Sequence, residues 1–254
     1  MITRRQFLKG CASSLLAISV AELMWQMPIS SGMADQQIPV LLYHRVGKTT
    51  DPLTVTPGRF ERDLRQLKEA GYSTIDLRQF ERFLADRDTE LPAKPLLITF
   101  DDGYRDNYEN AFPLLSKYQM EAAFFIIAGM LGEPERVSAA DIREMAQHGM
   151  TIGSHTVTHR PLGELSVKEM RTEMYQSRRI LENALGMPVA SIAYPRGSYS
   201  NDTIDMADDF GYSSGFTTLN GKCSKGTHPF ALRRIPIFSY DCDVLDIIDK
   251  NKTV

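Results

Sequence analysis

From residue 40 onward, short apolar runs alternate with amphipathic stretches, and the hydrophobic period keeps switching between two and 3.6. That alternation predicts repeated β–α units rather than a sandwich or a helical bundle. The predicted strands are 40–43, 73–75, 95–100, 122–127, 151–154, 191–194, 213–217 and 232–237. Between them, Thr56 caps a helix with Pro57 at its first position, Phe60, Leu64 and Leu67 along one face, and Gly71 at its end. Ser138 opens another helix, with Ile142 and Met145 directed inward and Gly149 behind it. Ser166 and Glu169 form a capping box for a long helix to Leu185, stopped by Gly186 and Pro188. A last helix is expected over 201–210, closed by Gly211. No internal repeat or low-complexity segment interrupts the series. The expected fold is therefore α/β, a distorted (β/α) barrel of about seven to eight parallel strands, with a doubly wound open sheet as the alternative.

Composition narrows the class. The chain has 254 residues, 43% hydrophobic and 24% charged, which suits one large α/β core and excludes general disorder. Its 29 Lys and Arg against 32 Asp and Glu, with no run of like charges, argue against a nucleic-acid partner. Three cysteines without a C-x-x-C pair exclude a zinc ribbon or a disulfide framework. An oxidising compartment would permit a Cys223 to Cys242 disulfide, a pairing the sequence leaves open.

The first residues carry an address. Arg4 and Arg5, followed by Phe7, Leu8 and Lys9, a mostly apolar stretch over 11–25 and small residues around Gly32 and Ala34, read as a twin-arginine export signal. The stretch carries Glu22 and is shorter than the ~20 apolar residues a membrane-spanning helix needs. Cleavage after Ala34 is the expectation, and a retained membrane tether the alternative. Residues 1–34 are thus the expected leader and 35–254 an exported, periplasmic domain. Losing three basic residues and one acidic residue leaves 26 against 31.

Barrels of this kind build their sites at the carboxyl ends of the strands. Four polar sets follow apolar runs there: His44; Asp101, Asp102 and Gly103; His155 and His159; and Tyr194, Pro195, Arg196 and Gly197. The i, i+4 spacing of His155 and His159 turns two imidazoles the same way and suits two ligands of one metal. Asp101 or Asp102 offers the carboxylate of a catalytic, water-open site, leaving its neighbour to take a proton. A solvated Asp-Asp-Gly turn is the plainer reading of the pair taken alone.

Thr99-Phe100-Asp101-Asp102-Gly103 and His155-Thr156-Val157-Thr158-His159, in that order and about 50 residues apart, together resemble the polysaccharide deacetylase family, the NodB-homology or carbohydrate esterase family four group. The resemblance covers nearly all of 35–254. It implies a distorted barrel, Asp101 as catalytic base, and Asp102, His155 and His159 as ligands of a divalent metal. Zinc suits that set, with cobalt, nickel or iron as alternatives. Two positions depart from the family pattern. Ala193-Tyr194-Pro195-Arg196-Gly197 replaces the usual Arg-Pro-Pro-Tyr, removing the arginine that steadies the base; Arg234 is the candidate substitute. The usual C-terminal strand ending in His is also absent, whereas Val40-Leu41-Leu42-Tyr43-His44 has that form at the front. This resembles the permuted deacetylases of exported biofilm polysaccharide and implies His44 as general acid.

The implied reaction is hydrolysis of N-acetyl groups on an N-acetylglucosamine-containing polysaccharide. A backbone N–H near Arg196, in the segment with Tyr194 and Pro195, is the expected oxyanion donor. Poly-N-acetylglucosamine follows from the permuted resemblance alone; peptidoglycan and chitin oligomers are alternatives. Tyr104, Tyr194 and Tyr199 are candidates for stacking on sugars or for the core. His148 and His228 read as structural or exposed. Two other functions fit the same barrel: a non-catalytic carbohydrate-binding protein and an esterase for O-acetyl glycans.

Overall fold

The computed structural model describes residues 36–251, so the expected leader and Cys11 lie outside the described residues. Seven apolar runs become strands: β1 (Val40–Tyr43), β2 (Pro95–Phe100), β3 (Ala123–Ile126), β4 (Thr151–Ser154), β5 (Ser191–Ala193), β6 (Ser214–Asn220) and β7 (Leu232–Pro236). Each pairs in parallel with the next, from Leu41↔Ile98 between β1 and β2 to Phe216↔Leu232 between β6 and β7. Ile235↔Leu41 then joins β7 back to β1 and closes the barrel, which sets aside the open sheet. The eighth expected strand is no stave. Ser73–Thr74 pairs only with Pro95 and Leu96 at the start of β2, and Ser73 is exposed, so this segment lacks the two-sided burial of a barrel strand.

Burial on both faces separates the side chains into two layers by strict alternation. Val40, Leu97, Ala123, Phe125, Ala193, Phe216 and Leu232 fill the interior. Their chain neighbours Leu41, Tyr43, Ile98, Phe100, Phe124, Ile152, Ile192 and Ile235 face the surrounding helices. The interior is tight: a Cβ on Gly153 would stand 2.5 Å from the Phe125 ring. Outside, Phe100 stacks on Phe124 at 4.8 Å and on Tyr43 at 5.4 Å, and meets Phe60 edge-on at 5.6 Å.

Helices α1 (Pro57–Glu69), α2 (Leu77–Leu84), α3 (Phe112–Tyr118), α4 (Ala139–Gln147), α5 (Val167–Leu185), α6 (Asn201–Asp209) and α7 (Val244–Lys250) complete the fold. Thr56, Ser138 and Ser166 accept from the N3 amides as their sequences predict. Helix α2 differs from the others in what it covers, since Leu77, Phe80, Phe83 and Leu84 join the interior cluster and plug the amino end of the barrel. Helix α7 corrects the expectation that the helix after β5 is the last. Asp243 caps it, and Val244 and Ile248 supply a buried face too short to stand out as a period. No helix among the described residues is long and apolar enough to cross a membrane.

The disulfide does not form. Cys223 and Cys242 are both free. Cys223 is buried beside Ile38, in the short strand Cys223–Ser224 that pairs with Gln37–Ile38 ahead of β1, and its thiol donates to the Arg233 carbonyl. Cys242 is exposed on the loop after β7, at the other end of the strands.

Because Phe100 locks three other rings, Phe100→Ala is expected to cost about 3–5 kcal/mol, read as a lower urea midpoint. Tyr240→Ala, at a side chain 67% exposed, should stay within about 0.5 kcal/mol. Equal losses in the two variants would contradict this packing.

Candidate active site

The inward alternation continues past the strand ends and delivers the chemistry. His44 follows the inward register of Val40, Asp101 that of Leu97 and Thr99, and His155 that of Gly153. The barrel ladder still holds two of them: Asp101 N–H donates to the Tyr43 carbonyl at 3.0 Å, and His155 N–H to the Ile126 carbonyl at 2.8 Å. At Asp102 the chain turns, with φ of +75°, and Gly103 follows at +67°. A Cβ at Gly103 would lie 2.9 Å from Ile126, so this turn needs glycine for space as well as conformation. Non-glycine residues with positive φ concentrate at the site: Asp102, Thr156, His159 and Arg196 all adopt it. Such conformations cost of order 1–3 kcal/mol each and persist where packing over-determines them.

Asp102, His155 and His159 bring one ligand atom each within 4.8 Å of one another. Asp102 Oδ1 lies 3.4 Å from His155 Nε2 and 3.3 Å from His159 Nε2. These separations exceed the about 2.7–2.9 Å of a charge-assisted hydrogen bond, and the buried Oδ1 has no hydrogen-bond partner. His155 Nδ1 stands 2.8 Å from the Ala193 carbonyl, which can only accept. The neutral ring therefore carries its hydrogen on Nδ1 and presents a lone pair at Nε2. Lone pairs converging on one point without a hydrogen between them call for a positive charge there, so the donor set fits a divalent cation. The neighbouring carboxylates favour positive charge at that point. Burial would lower His155, but Asp101 and Asp102 outweigh it and raise its pKa. His159 is lowered by burial and by the charge of His155. Asp102, despite burial, is held well below the usual carboxylate range, first by His155.

Asp101 stands beside this cluster, 3.9 Å from His155 Nε2 and almost fully buried. Arg234, inward-facing on β7 and wholly buried, donates to both its oxygens at 2.7 Å. The guanidinium is fixed by a 2.8 Å bond to the Thr217 carbonyl and by Thr99 Oγ1 at 3.3 Å. Burial alone would raise Asp101, but Arg234 outweighs it and keeps the carboxyl below its ordinary value. The arginine absent from the Tyr194-Pro195-Arg196 segment thus has a geometric counterpart on another strand.

His44 is partly buried, and burial lowers its pKa more than Asp101 and Asp102 raise it. Its Nδ1 is buried without a partner. Two residues not anticipated from sequence hold its backbone. Asn107 Nδ2 donates to the His44 carbonyl at 2.8 Å, and Asp106 accepts from Arg45 Nε at 2.7 Å and from Val46 N–H at 3.2 Å. Both sit where the chain leaves the Asp101 turn, Asn107 opening the π-helical turn Asn107–Ala111. Glu173 on α5 also escapes sequence reasoning. It accepts from Val157 N–H, Thr158 N–H and the Thr158 hydroxyl. The available signal is a polar residue within the stripe Met170, Glu173, Met174, Ser177, Leu181.

Of the three tyrosines that could stack on sugars or join the core, Tyr194 is core. Tyr194 is one position past the inward Ala193, so its ring enters the outer layer, fully buried, with its hydroxyl donating to the Phe230 carbonyl. Its side chain cannot contact substrate. Two guanidinium groups lie over the Tyr104 ring, Arg45 at 4.3 Å and Arg136 at 4.1 Å. Tyr199 stacks on Tyr194 at 5.5 Å. Pro195 is buried, while Arg196 is exposed on a turn whose Tyr194, Gly197 and Ser198 N–H groups are all committed. His148 and His228 serve local packing, the first capping against the Glu144 carbonyl, the second accepting from Phe230 N–H.

Comparison with known proteins finds matches in sequence and in fold. The family model described as Polysaccharide deacetylase matches residues 88–215, which contain Asp101, Asp102, His155 and His159; His44 and Arg234 lie outside it. YxkH of Bacillus subtilis is 35% identical over 201 residues, covering 79% of this chain and 71% of that protein. The poly-β-1,6-N-acetyl-D-glucosamine N-deacetylase of Staphylococcus aureus strain MRSA252 is 25% identical over 72% of this chain and 68% of its own length. Among solved structures, the deacetylase PplD of Streptococcus pyogenes, in complex with acetate, superposes with a TM-score of 0.80 at 29% identity, over 86% of this chain and 99% of that one. IcaB from Ammonifex degensii gives 0.72 at 27%, over 79% and 91%.

Arg234→Met strands the Asp101 charge in the barrel and is expected to cost about 3–5 kcal/mol at neutral pH; Arg234→Met with Asp101→Asn should recover most of it. The sign of the pH dependence follows from the lowered carboxyl. Its stabilisation is complete above the unfolded value of about 3.9 and is lost as pH falls through the lower folded value. Denaturant titrations of four proteins, the parent, Arg234→Met, Asp101→Asn and the double variant, between about pH 2 and pH 7 check both statements, and a fully additive double variant would contradict the pairing.

Proposed function

The chain belongs to the polysaccharide deacetylase family, and from that membership we propose that it removes N-acetyl groups from an N-acetylglucosamine-containing polysaccharide, with a divalent metal at Asp102, His155 and His159. The observation that carries this reading is the convergence of those three ligand atoms within 4.8 Å, beside a buried carboxylate already paired with arginine. Zinc suits two imidazoles and one carboxylate; cobalt, nickel or iron would be held by the same atoms. When bound, the cation supplies Lewis acidity toward the acetyl carbonyl and toward water.

The side chains supply the rest. Asp101, kept ionised by Arg234, takes a proton from the attacking water. Arg234 also prevents that carboxylate from swinging into the ligand set, because both its oxygens are held. As negative charge grows on the carbonyl oxygen, the Arg196 N–H donates to it; the other N–H groups of that turn are committed elsewhere, which supports this assignment. His44 passes a proton to the departing nitrogen as the C–N bond breaks, giving acetate and a free amine. Burial holds His44 neutral at rest, so the proton it hands to nitrogen is first taken up from solvent, and Asp101 returns the water proton it accepted to solvent when acetate leaves.

The likeness to a poly-β-1,6-N-acetyl-D-glucosamine deacetylase supports that polymer as substrate. The twin-arginine leader supports export to the periplasm, with 35–254 as the working domain and the membrane reached only through a retained leader.

Acetate release from N-acetylglucosamine oligomers by zinc-loaded protein is the direct test. A chelator should abolish it and restored metal should return it. Asp101→Asn and His44→Ala should each lower kcat by about 10²–10⁴-fold with little change in KM. Saturable oligomer binding without acetate would instead favour a binding protein, and acetate release from O-acetyl esters alone, undiminished in His44→Ala, would point to an esterase, whose leaving group needs no strong acid.

A further inference from the structure

The loop that carries His155 and His159 is strained, and its internal bond, from His159 N–H to Thr156 Oγ1 at 3.1 Å, leaves two further N–H groups to be held from outside. Thr156 and His159 both have positive φ, 65° and 60°, and between them Val157 and Thr158 present N–H groups away from the strand ladder. Unsatisfied, such donors would let the loop relax and swing His159, the more exposed ligand, away from Asp102. One side chain receives them. Glu173 Oε2 accepts from Val157 N–H at 2.8 Å and Thr158 N–H at 2.9 Å, while Oε1 accepts the Thr158 hydroxyl.

Glu173 is a buried carboxylate, 6% exposed, and no Lys, Arg or His forms an ion pair with it among the described residues. A buried charge of this kind is retained only if its hydrogen bonds outweigh desolvation, and all three of its bonds go to the ligand loop. Helix α5 supports the same loop one turn further on. Ser177 Oγ bonds Ser154 Oγ at 2.7 Å, and Ser154 Oγ accepts from Thr156 N–H at 3.2 Å. Glu173 and Ser177, four residues apart, are the polar members of an otherwise apolar helix stripe.

We propose that Glu173 is a positioning residue for the metal centre, its carboxylate clamping the Val157–Thr158 backbone so that His155 and His159 converge with Asp102. The inference rests on the reading of those three residues as metal ligands. It adds that ligand geometry is set by a helix outside the active-site loops, which makes metal affinity the quantity Glu173 governs.

The test is zinc affinity of the full chain, measured by competition with a chromophoric chelator, alongside the unfolding midpoint of the metal-free protein. Glu173→Ala should weaken zinc by about 10–100-fold. Glu173→Gln keeps one oxygen able to accept both N–H groups, so it should lose only a few-fold. Thr158→Val, which removes the hydroxyl alone, should fall between the parent and Glu173→Ala. Met174→Ala, the adjacent buried position of α5, should lower the midpoint yet leave zinc affinity unchanged. A folded Glu173→Ala within about twofold of the parent overturns the proposal, as does a Met174→Ala that loses affinity equally. If Glu173→Ala does not fold, unchanged affinity in both Glu173→Gln and Thr158→Val overturns it. A parent that takes up no zinc overturns it together with the metal-site reading. A parent that binds zinc with the expected variant order but releases no acetate supports it and removes the proposed reaction alone.

Discussion

A closed barrel of seven parallel strands leaves an interior one side chain deep, and a charge placed inside it must be paired. That constraint decides where chemistry can occur. Below the mouth the inward layer is Val40, Leu97, Phe125, Phe216 and Leu232, with α2 closing the floor. Arg234 is the charged side chain of that layer, a wholly buried cation whose ring neighbours Phe125 and Phe216 stand 5.8 and 5.9 Å away. It is tolerable only because its guanidinium donates to Asp101, Thr217 and Thr99. The pair therefore works in both directions: Asp101 neutralises Arg234 in the core, and Arg234 keeps Asp101 ionised and aimed at the mouth.

Above that pair, the site is assembled from loops that the strands launch and outside elements restrain. The Asp102 turn is confined by Ile126, the segment after His44 by Asp106 and Asn107, and the 155–159 loop by Glu173. Each restraint comes from a different part of the chain and acts on backbone rather than on the reacting side chain. Backbone anchoring suits a site where positive φ recurs, because the strained conformations need partners that cannot rotate away.

Much of this was legible from local pattern. The His155 and His159 spacing, the Asp101-Asp102 pair and the apolar run ending at His44 all mark strand ends, and parallel strands of one barrel must open on a common face. The position of Arg234 was readable as a candidate, though its pairing was not, since nothing local distinguishes an inward arginine from a solvated one. Tyr194 misled because a motif reads as a block, whereas consecutive residues of a strand point to opposite sides. The setting of Tyr104 was open between sugar platform and packing, because the guanidinium groups that cover it come from residues far apart in the chain. Glu173 and α7 escaped notice because one polar residue in a stripe, or two buried residues in a short helix, carry little periodic signal.

The sequence by itself determined the β–α alternation, the α/β class, the family resemblance and a candidate set of residues for holding a cation and moving a proton, because these depend on residue type and short-range spacing. Only the tertiary structure decided the closure of β7 on β1, the unpaired state of Cys223 and Cys242, the joining of Arg234 to Asp101 and the clamp from Glu173. Those depend on strand register and inward or outward parity, and a shift of one residue in either would exchange every buried partner for a solvent-facing one.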